Sequence, residues 1–411
     1  MLGILDLKST TSNYSHPIIY LFFGGFMLGL AIEKWNLHKR IALNILKLSG
    51  TKPSKIVLGS MLATSLLSMW ISNTATTIMM LPIGMSIIKL ISTKLETKKG
   101  KRNFALSILL GIAYAANIGG IGTLIGTPPN LVLASLAEDS GIQAIHFSSW
   151  FFFAIPLVII LFTLCYFLLA KLIFPLKAKN IPDIHEMISS ELKALGKVSE
   201  GEKRVMLILV FTALLWVFRA QLNHISFLEN LSDTIIAIFT TIVLFAMPSG
   251  KKKQGILVWE DSKKLPWGIL LLFGGGLALA KGLAVSNIVL DAGTWISANS
   301  SSALFILILI ICSFSIFLTE VMSNVALVSV FIPVSFVVAE GFGINGLQLA
   351  IPLTIGASCA FMFPISTPPN AVVFASGKIK MKDMAKTGLI LNVVCLVLIS
   401  VYCYYIQPYF F

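Results

Sequence analysis

Charge is what this sequence has least of. Only 12% of its 411 residues are Asp, Glu, Lys or Arg, while 56% are hydrophobic and the mean hydropathy is +0.90. Soluble domains average about 25% charged and about 45–50% apolar residues, so a water-soluble globule is excluded. Cysteine is also sparse: Cys165, Cys312, Cys359, Cys395 and Cys403 all lie in apolar stretches without CxxC spacing. They are expected to be small buried hydrophobes, not disulfide partners or metal ligands. The five histidines (His16, His38, His146, His185, His224) fall at span ends or in loops, with no HExxH spacing, and no acid pair lies in an apolar block. Gly120-x-Gly122 has no βαβ context around it. Without these groups, hydrolytic and dinucleotide chemistry have no carrier, and the chain is not expected to be an enzyme. No cleavable signal peptide is expected within it either, because residues 1–17 are polar and the first apolar block continues to membrane length.

What is abundant is long apolar blocks, many near the roughly 20 residues that cross a bilayer. The fold class read from them is an all-α polytopic membrane protein, multi-pass in the cell membrane. The net charge of +13 reflects topology: 28 of the 31 Lys and Arg residues fall in five segments, 33–55, 89–102, 171–204, 251–264 and 378–386. The alternate connections 137–149, 222–233 and 286–302 have none. That asymmetry places the five basic segments in the cytoplasm and leaves no nucleic-acid role to explain. Sequons at Asn13, Asn230 and Asn299 fall on the expected outer side, where such triplets also arise by chance.

Between the basic segments the chain repeats itself. Block 17–32 is followed by 56–91, which is apolar throughout, has two basic ends and is interrupted at Ser72-Asn73-Thr74. Two full crossings would leave each arm about 16 residues, too short for a comfortable span, so this is read as a re-entrant helical hairpin with its tip at Asn73. Residues 104–136 form a broken helix interrupted at Gly126-Thr127-Pro128-Pro129-Asn130. Proline lacks an amide hydrogen and clashes with the preceding turn, and in lipid the freed backbone groups must face protein or a wet cavity.

The same order recurs at 266–284, where Phe273-Gly274-Gly275 echoes Phe23-Gly24-Gly25. A second hairpin follows at 303–338, with Thr319-Glu320-Val321-Met322-Ser323-Asn324 at its tip, and a second broken helix at 347–376, interrupted at Ser366-Thr367-Pro368-Pro369-Asn370. Gly25 to Asn73 spans 48 residues and Gly275 to Asn324 spans 49; Asn73 to Pro128 spans 55 and Asn324 to Pro368 spans 44. Counting crossings, block 17–32 runs inward and block 266–284 outward, so the repeats are expected to be inverted. The domain reading is a first repeat at 1–174, a cytoplasmic linker at 175–204, and a second repeat at 205–411. Paired Gly/Pro-interrupted segments in inverted halves point to a secondary transporter's binding site.

An unwound turn exposes carbonyls toward one side and the amide end of the next half-helix toward the other. Carbonyls with Ser, Thr and Asn oxygens suit a small hard cation, and helix N-termini suit an anion. Within the expected spans only Lys281 and Glu320 carry formal charge, and no Lys or Arg neighbours Asn73, Thr127, Asn324 or Thr367. A carried anion would therefore lean on helix dipoles, neutral donors and a co-bound cation, because an uncompensated buried charge is prohibitive. Each feature also has a structural reading: Pro-Pro as a kink, Ser-Asn-Thr as a cap, Gly24-Gly25 and Gly274-Gly275 as close-packing sites, and Glu320 as a cap or pairing group within the hairpin.

At these residues the chain resembles the divalent-anion:sodium symporter family, transporters of succinate, citrate and related dicarboxylates. The resemblance rests on Ser72-Asn73-Thr74-Ala75-Thr76-Thr77, Gly126-Thr127-Pro128-Pro129-Asn130, Thr319-Glu320 with Ser323-Asn324, and Ser366-Thr367-Pro368-Pro369-Asn370, in order over nearly the whole chain. It implies inverted repeats with two re-entrant hairpins, a homodimer, elevator-type movement, and sodium symport of a di- or tricarboxylate with at least two coupling ions. By position, the first sodium site would use Ser68, Ser72, Asn73 and the Gly126 carbonyl; the second would use Thr319, the Met322 carbonyl, Asn324 and the Ser366 carbonyl. Substrate carboxylates would lie near Asn73, Thr74, Thr127, Ser323, Asn324, Thr367 and Pro368. Two departures stand out. Val325 replaces the Thr that many members carry, removing one hydroxyl, and members usually carry further N-terminal helices, on the scaffold and dimerisation side, before the block that corresponds to 17–32. A sodium-independent exchanger on the same fold is the alternative reading, and an anion channel fits less well, because paired inverted breaks suit alternating access better than a continuous pore.

Overall fold

The computed structural model describes residues 4–176, 181, 183–250, 254–286 and 303–411. The expected outer connection at 286–302 lies outside the described residues except for Ser286, as do Asn299 of the third sequon, Lys177 and Lys179 of the linker, and Lys251, Lys252 and Lys253. Helices dominate throughout, and six of those described are long and apolar enough to cross a membrane.

The first hairpin consists of Pro53–Ser68 and Asn73–Lys94. Proline at the start of the first arm fits a position whose amide has no intrahelical partner. The second arm begins where the Ser72 hydroxyl accepts the Ala75 amide at 3.2 Å, an N-cap that fixes the tip. Next comes Lys98–Gly120, in which every residue from Asn103 to Gly120 is buried, making it a central pillar of the molecule. After residues 121–127 the chain becomes helical again at Pro128–Asp139. The paired prolines therefore start the distal half-helix; the proximal half has already ended at Gly120. The same holds in the second repeat, where Leu347–Ala357 ends well before Pro368–Phe374 begins. Both prolines of each pair sit in a first turn, where their missing N–H groups cost nothing.

The second hairpin is Leu304–Leu318 and Asn324–Gly341. The two repeats interlock reciprocally. Pro128–Asp139 packs on Asn324–Gly341 and Leu347–Ala357, and Pro368–Phe374 packs on Asn73–Lys94 and Lys98–Gly120. Each distal half-helix thus leans on the hairpin of the other repeat.

Around this pair stand Pro17–Lys34, Glu200–Val217 and Asp233–Ala246. Gly24 permits their closest approach: a Cβ there would lie 2.6 Å from the Ala237 carbonyl oxygen. Gly274, its sequence echo in Trp267–Val285, faces the ring of Tyr14 instead. Two amphipathic helices, Leu37–Ser49 and Asp183–Ala194, pack on one another, and Lys94 at the end of the first hairpin pairs with Asp183 at 2.6 Å. All five cysteines are buried with free thiols. Asn13 is buried too, its amide donating to the Ser9 carbonyl at 2.6 Å, which removes it as a surface sequon.

Candidate ion and substrate site

The two hairpin tips carry the same hydrogen-bond pattern. In the first, the Ser68 hydroxyl donates to Asn73 Oδ1 at 2.5 Å and lies 2.8 Å from the Ala116 carbonyl. In the second, the Thr319 hydroxyl lies 2.7 Å from Asn324 Oδ1 and 2.8 Å from the Ala357 carbonyl. Each cluster joins the C-terminal end of a first arm, the first residue of a second arm and the C-terminal end of a broken helix. Such C-terminal ends are negative poles, and clustered side-chain and carbonyl oxygens there suit a cation.

Gly126 belongs to the first cluster. A Cβ on Gly120 would lie 2.6 Å from Asn73 Oδ1 and 3.1 Å from the Gly126 carbonyl oxygen, so both oxygens border one point beside a residue with no side chain. Ser68, Asn73 and Gly126 are thus brought together. Ser72 is not part of this contact, since its hydroxyl caps the Ala75 amide. In the second repeat, Thr319 and Asn324 come together, while the Ser366 hydroxyl turns back to the Phe363 carbonyl at 2.6 Å. Met322 is half-buried in the tip.

Of the residues expected to meet substrate, Thr74 is half-buried, Ser323 and Pro368 are exposed, and Thr127 and Thr367 are buried N-caps of the distal half-helices. Thr367 accepts the Asn370 amide at 3.4 Å and an Asn117 side-chain N–H at 3.2 Å. Val325 is buried.

Sequence reasoning quoted Asn130 and Asn370 without giving them a role. Asn130 Nδ2 donates to the carbonyls of Gly120, Ile121 and Thr123 at 3.4, 3.3 and 2.8 Å. Asn370 Nδ2 donates to the Ala360 and Phe363 carbonyls at 3.1 and 3.0 Å and to Ser366 Oγ at 3.2 Å. In each repeat one amide stitches the unwound strand together, supplying the donors that lipid cannot. The recurrence of Asn after Pro-Pro was the available signal. Asn117 and Tyr114 were missed altogether. They bind the first repeat's pillar to the second break, Asn117 Nδ2 to the Ala360 carbonyl at 3.2 Å and the Tyr114 hydroxyl to the Phe361 carbonyl at 2.8 Å.

Glu320 is buried and accepts four hydrogen bonds: Phe361 N at 2.7 Å, Met362 N at 2.9 Å and Asn392 Nδ2 at 2.8 Å on Oε1, and Phe363 N at 3.2 Å on Oε2. Its structural reading as a pairing group within the hairpin is thus extended: it holds the broken helix.

A cavity of about 780 Å³ runs from Leu30, Glu33 and Lys34 along Ala75, Ile78, Met79 and Pro82 of the first hairpin. Its inner lining reaches Ala75, two residues beyond Asn73. His38, also in its wall, has its imidazole pushed below the usual value by burial, against the opposing effect of its bond to the Ile32 carbonyl. Lys34, another wall residue, is tied to Asp261 at 2.6 Å.

Interlocked broken helices, membrane-length spans and duplicated oxygen clusters define a multi-pass membrane transporter, not an enzyme. Residues 1–408 match the family model described as the sodium:sulfate symporter transmembrane region, and the chain belongs to that family. Among curated relatives, it is 37% identical to a sodium-dependent dicarboxylate transporter, SdcS, of Staphylococcus saprophyticus, over 98% of this chain and 79% of the relative. It is 40% identical to SdcS of Staphylococcus aureus, with the same coverage. The fold is similar to that of the YdaH transporter of Alcanivorax borkumensis, with a TM-score of 0.62 at 14% identity, over 98% of this chain and 90% of that one.

Proposed function

We propose that the chain is a sodium-coupled symporter of di- or tricarboxylates of the succinate, malate and citrate type, working by elevator-like alternating access in the plasma membrane. The observation that carries this reading is the duplicated cluster, Ser68 with Asn73 and Thr319 with Asn324, each at the carbonyl end of a pillar helix. Two sodium ions bind there, with Gly126 in the first set and the Met322 and Ser366 carbonyls in the second. The carboxylate binds on the amide side of the tips, beside Asn73, Thr74, Thr127, Ser323, Asn324, Thr367 and Pro368.

Sodium supplies the positive charge that no Lys or Arg brings to the hairpin tips, so each solute makes binding of the other favourable, and linkage requires the two effects to be equal. The relatives named as sodium-dependent dicarboxylate transporters support both solutes. The cavity ending at Ala75 gives the first tip a route to the cytoplasmic side. The inverted repeats move as one unit against the scaffold helices of a homodimer. Succinate uptake into proteoliposomes tests the reading: sodium drives it and potassium or choline does not. Uptake that is unchanged by that replacement refutes it. A thermal-shift panel of succinate, malate, citrate and sulfate, each with and without sodium, then identifies the anion.

A further inference from the structure

Folding joins two basic segments whose point of contact is separated by 281 residues in sequence. Arg102 Nη2 donates to Asp383 Oδ1 at 2.6 Å, which ties the start of Lys98–Gly120 to the start of Met381–Ile406. Residues 96–102 and 378–386 together hold eight Lys and Arg residues against two acids, Glu96 and Asp383, and Asp383 is already engaged by Arg102. Lys98, Lys99, Lys378, Lys380 and Lys382 are exposed and Lys101 is half-buried. Among the described residues, none of these six is in an ion pair. Elsewhere on the basic side a basic element meets an acidic one: Leu37–Ser49, with Lys39, Arg40 and Lys47, packs on Asp183–Ala194, which brings Asp183, Glu186 and Glu191. Here like charge is packed against like charge, and only a counter-charge from outside the chain relieves the repulsion.

The place of the cluster identifies the source. Both helices are long and apolar enough to cross a membrane, so their first turns lie at the bilayer surface. Met381 is 50% exposed between Lys380 and Lys382, an apolar side chain among cations, the pattern of a surface that meets lipid. We propose that these six lysines form a docking surface for the anionic phospholipid headgroups of the cytoplasmic leaflet, with Met381 reaching the acyl boundary. Headgroup phosphates accept charge-assisted hydrogen bonds from the ammonium groups, and the leaflet supplies many such phosphates side by side. Lys98–Gly120 is the buried pillar, and its far end borders the first oxygen cluster. Headgroups that grip the start of the pillar therefore set the depth of that cluster in the membrane. The surface needs neither sodium nor carboxylate, so its failure leaves the symport reading standing.

The test is the thermal stability of the purified full chain in neutral detergent, titrated with phosphatidylglycerol, with phosphatidylcholine and inorganic phosphate as the other two arms. Phosphatidylglycerol stabilises the wild type and the other two do not, and potassium chloride weakens the effect by screening. A lysine at an anionic surface is worth about fivefold in affinity. The triple variant Lys378→Gln, Lys380→Gln, Lys382→Gln therefore raises the phosphatidylglycerol midpoint by about tenfold or more, and so does Lys98→Gln, Lys99→Gln, Lys101→Gln. Lys378→Arg, Lys380→Arg, Lys382→Arg, which keeps the charge, stays within about twofold of wild type. So does Lys47→Gln, Lys197→Gln, Lys263→Gln, which removes the same charge from exposed lysines elsewhere on the basic side. Where a triple variant does not fold, Lys380→Gln alone is read in its place, with an expected shift of about threefold. The inference is overturned if phosphatidylglycerol stabilises no better than phosphatidylcholine, or if both glutamine triples, or Lys380→Gln in their place, titrate as wild type. It is equally overturned if the Lys47, Lys197, Lys263 control loses as much, which would make the effect one of net charge. Stabilisation by inorganic phosphate alone also overturns it, because the surface would then be a free-anion site and not a lipid contact.

Discussion

The first break, at residues 121–127, and the second, at 358–367, share one set of backbone turns and differ in the side chains that reinforce it. Each must satisfy unwound backbone inside the membrane, where an orphaned amide or carbonyl costs several kcal/mol. The first break uses tight local turns: Ile121, Gly122 and Gly126 amides bond to the carbonyls of Ile118, Gly119 and Thr123, and Gly126 passes so close to Gly120 that a Cβ would lie 2.5 Å from the Gly120 carbonyl oxygen. The second repeats those turns, with Ser358, Cys359 and Ser366 amides on the carbonyls of Ile355, Gly356 and Phe363, and adds distant side chains: Glu320, itself held by Asn392, on its amide side, and Asn117 and Tyr114 on its carbonyl side. The two hairpin tips keep one hydrogen-bond geometry, while the side chains that support the breaks differ.

That contrast predicts unequal responses to matched substitutions. The largest effect is expected at Glu320→Ala, which orphans the buried Phe361 amide and the part-buried amides of Met362 and Phe363 and lowers stability by about 3 kcal/mol or more, against under about 1.5 kcal/mol for the volume-conserving Met69→Leu. Chemical denaturation in detergent checks both, and equal losses would erase the distinction. Next comes Gly126→Ser, which copies Ser366 into the first break; overpacking is expected to cost about 1–3 kcal/mol and to lower sodium-driven uptake. The converse, Ser366→Gly, forfeits bonds to Phe363 and Asn370 and costs about 1 kcal/mol. Wild-type uptake by Gly126→Ser would mean that the first break does not depend on close backbone approach.

Asn117 sharpens the comparison further. It lies thirteen residues before Asn130, and thirteen before Asn370 stands Ala357, so the bridge runs from the first repeat only. A double-mutant cycle of Asn117→Ala with Thr367→Val should give a coupling of about 1 kcal/mol in thermal unfolding; additivity would show that the bridge carries no stability. The smallest effect belongs to Thr319→Ser, which copies Ser68 and keeps the hydroxyl. It should cost about 1 kcal/mol or less, with the sodium dependence of uptake retained. A lost sodium response there would show that the threonine methyl shapes the second cluster.

Much of this was legible in the residue string. The Asn73 tip, both proline pairs and the duplication show through local residue types, because proline, glycine and Ser-Asn act on their own neighbourhood. The exact extent of each break did not. The prolines mark where helix resumes, while the points where it stops, Gly120 and Ala357, depend on what the following carbonyls can reach. Glu320 stood out as the sole acid within the spans, yet its partners are 41 to 43 residues away for the amides and 72 for Asn392. Asn117 reaches 250 residues to Thr367.

By itself, the sequence determined that this chain dissolves in lipid, where its helices break, and that the breaks come in pairs, since hydropathy and proline chemistry are properties of neighbouring residues. Only the tertiary structure decided which distant groups each break recruits, Trp150 and the Met69 carbonyl for the first and Glu320, Asn117 and Tyr114 for the second. Hydrogen-bond partners are chosen by proximity in space, and proximity across tens to hundreds of residues exists only after the two repeats have interlocked.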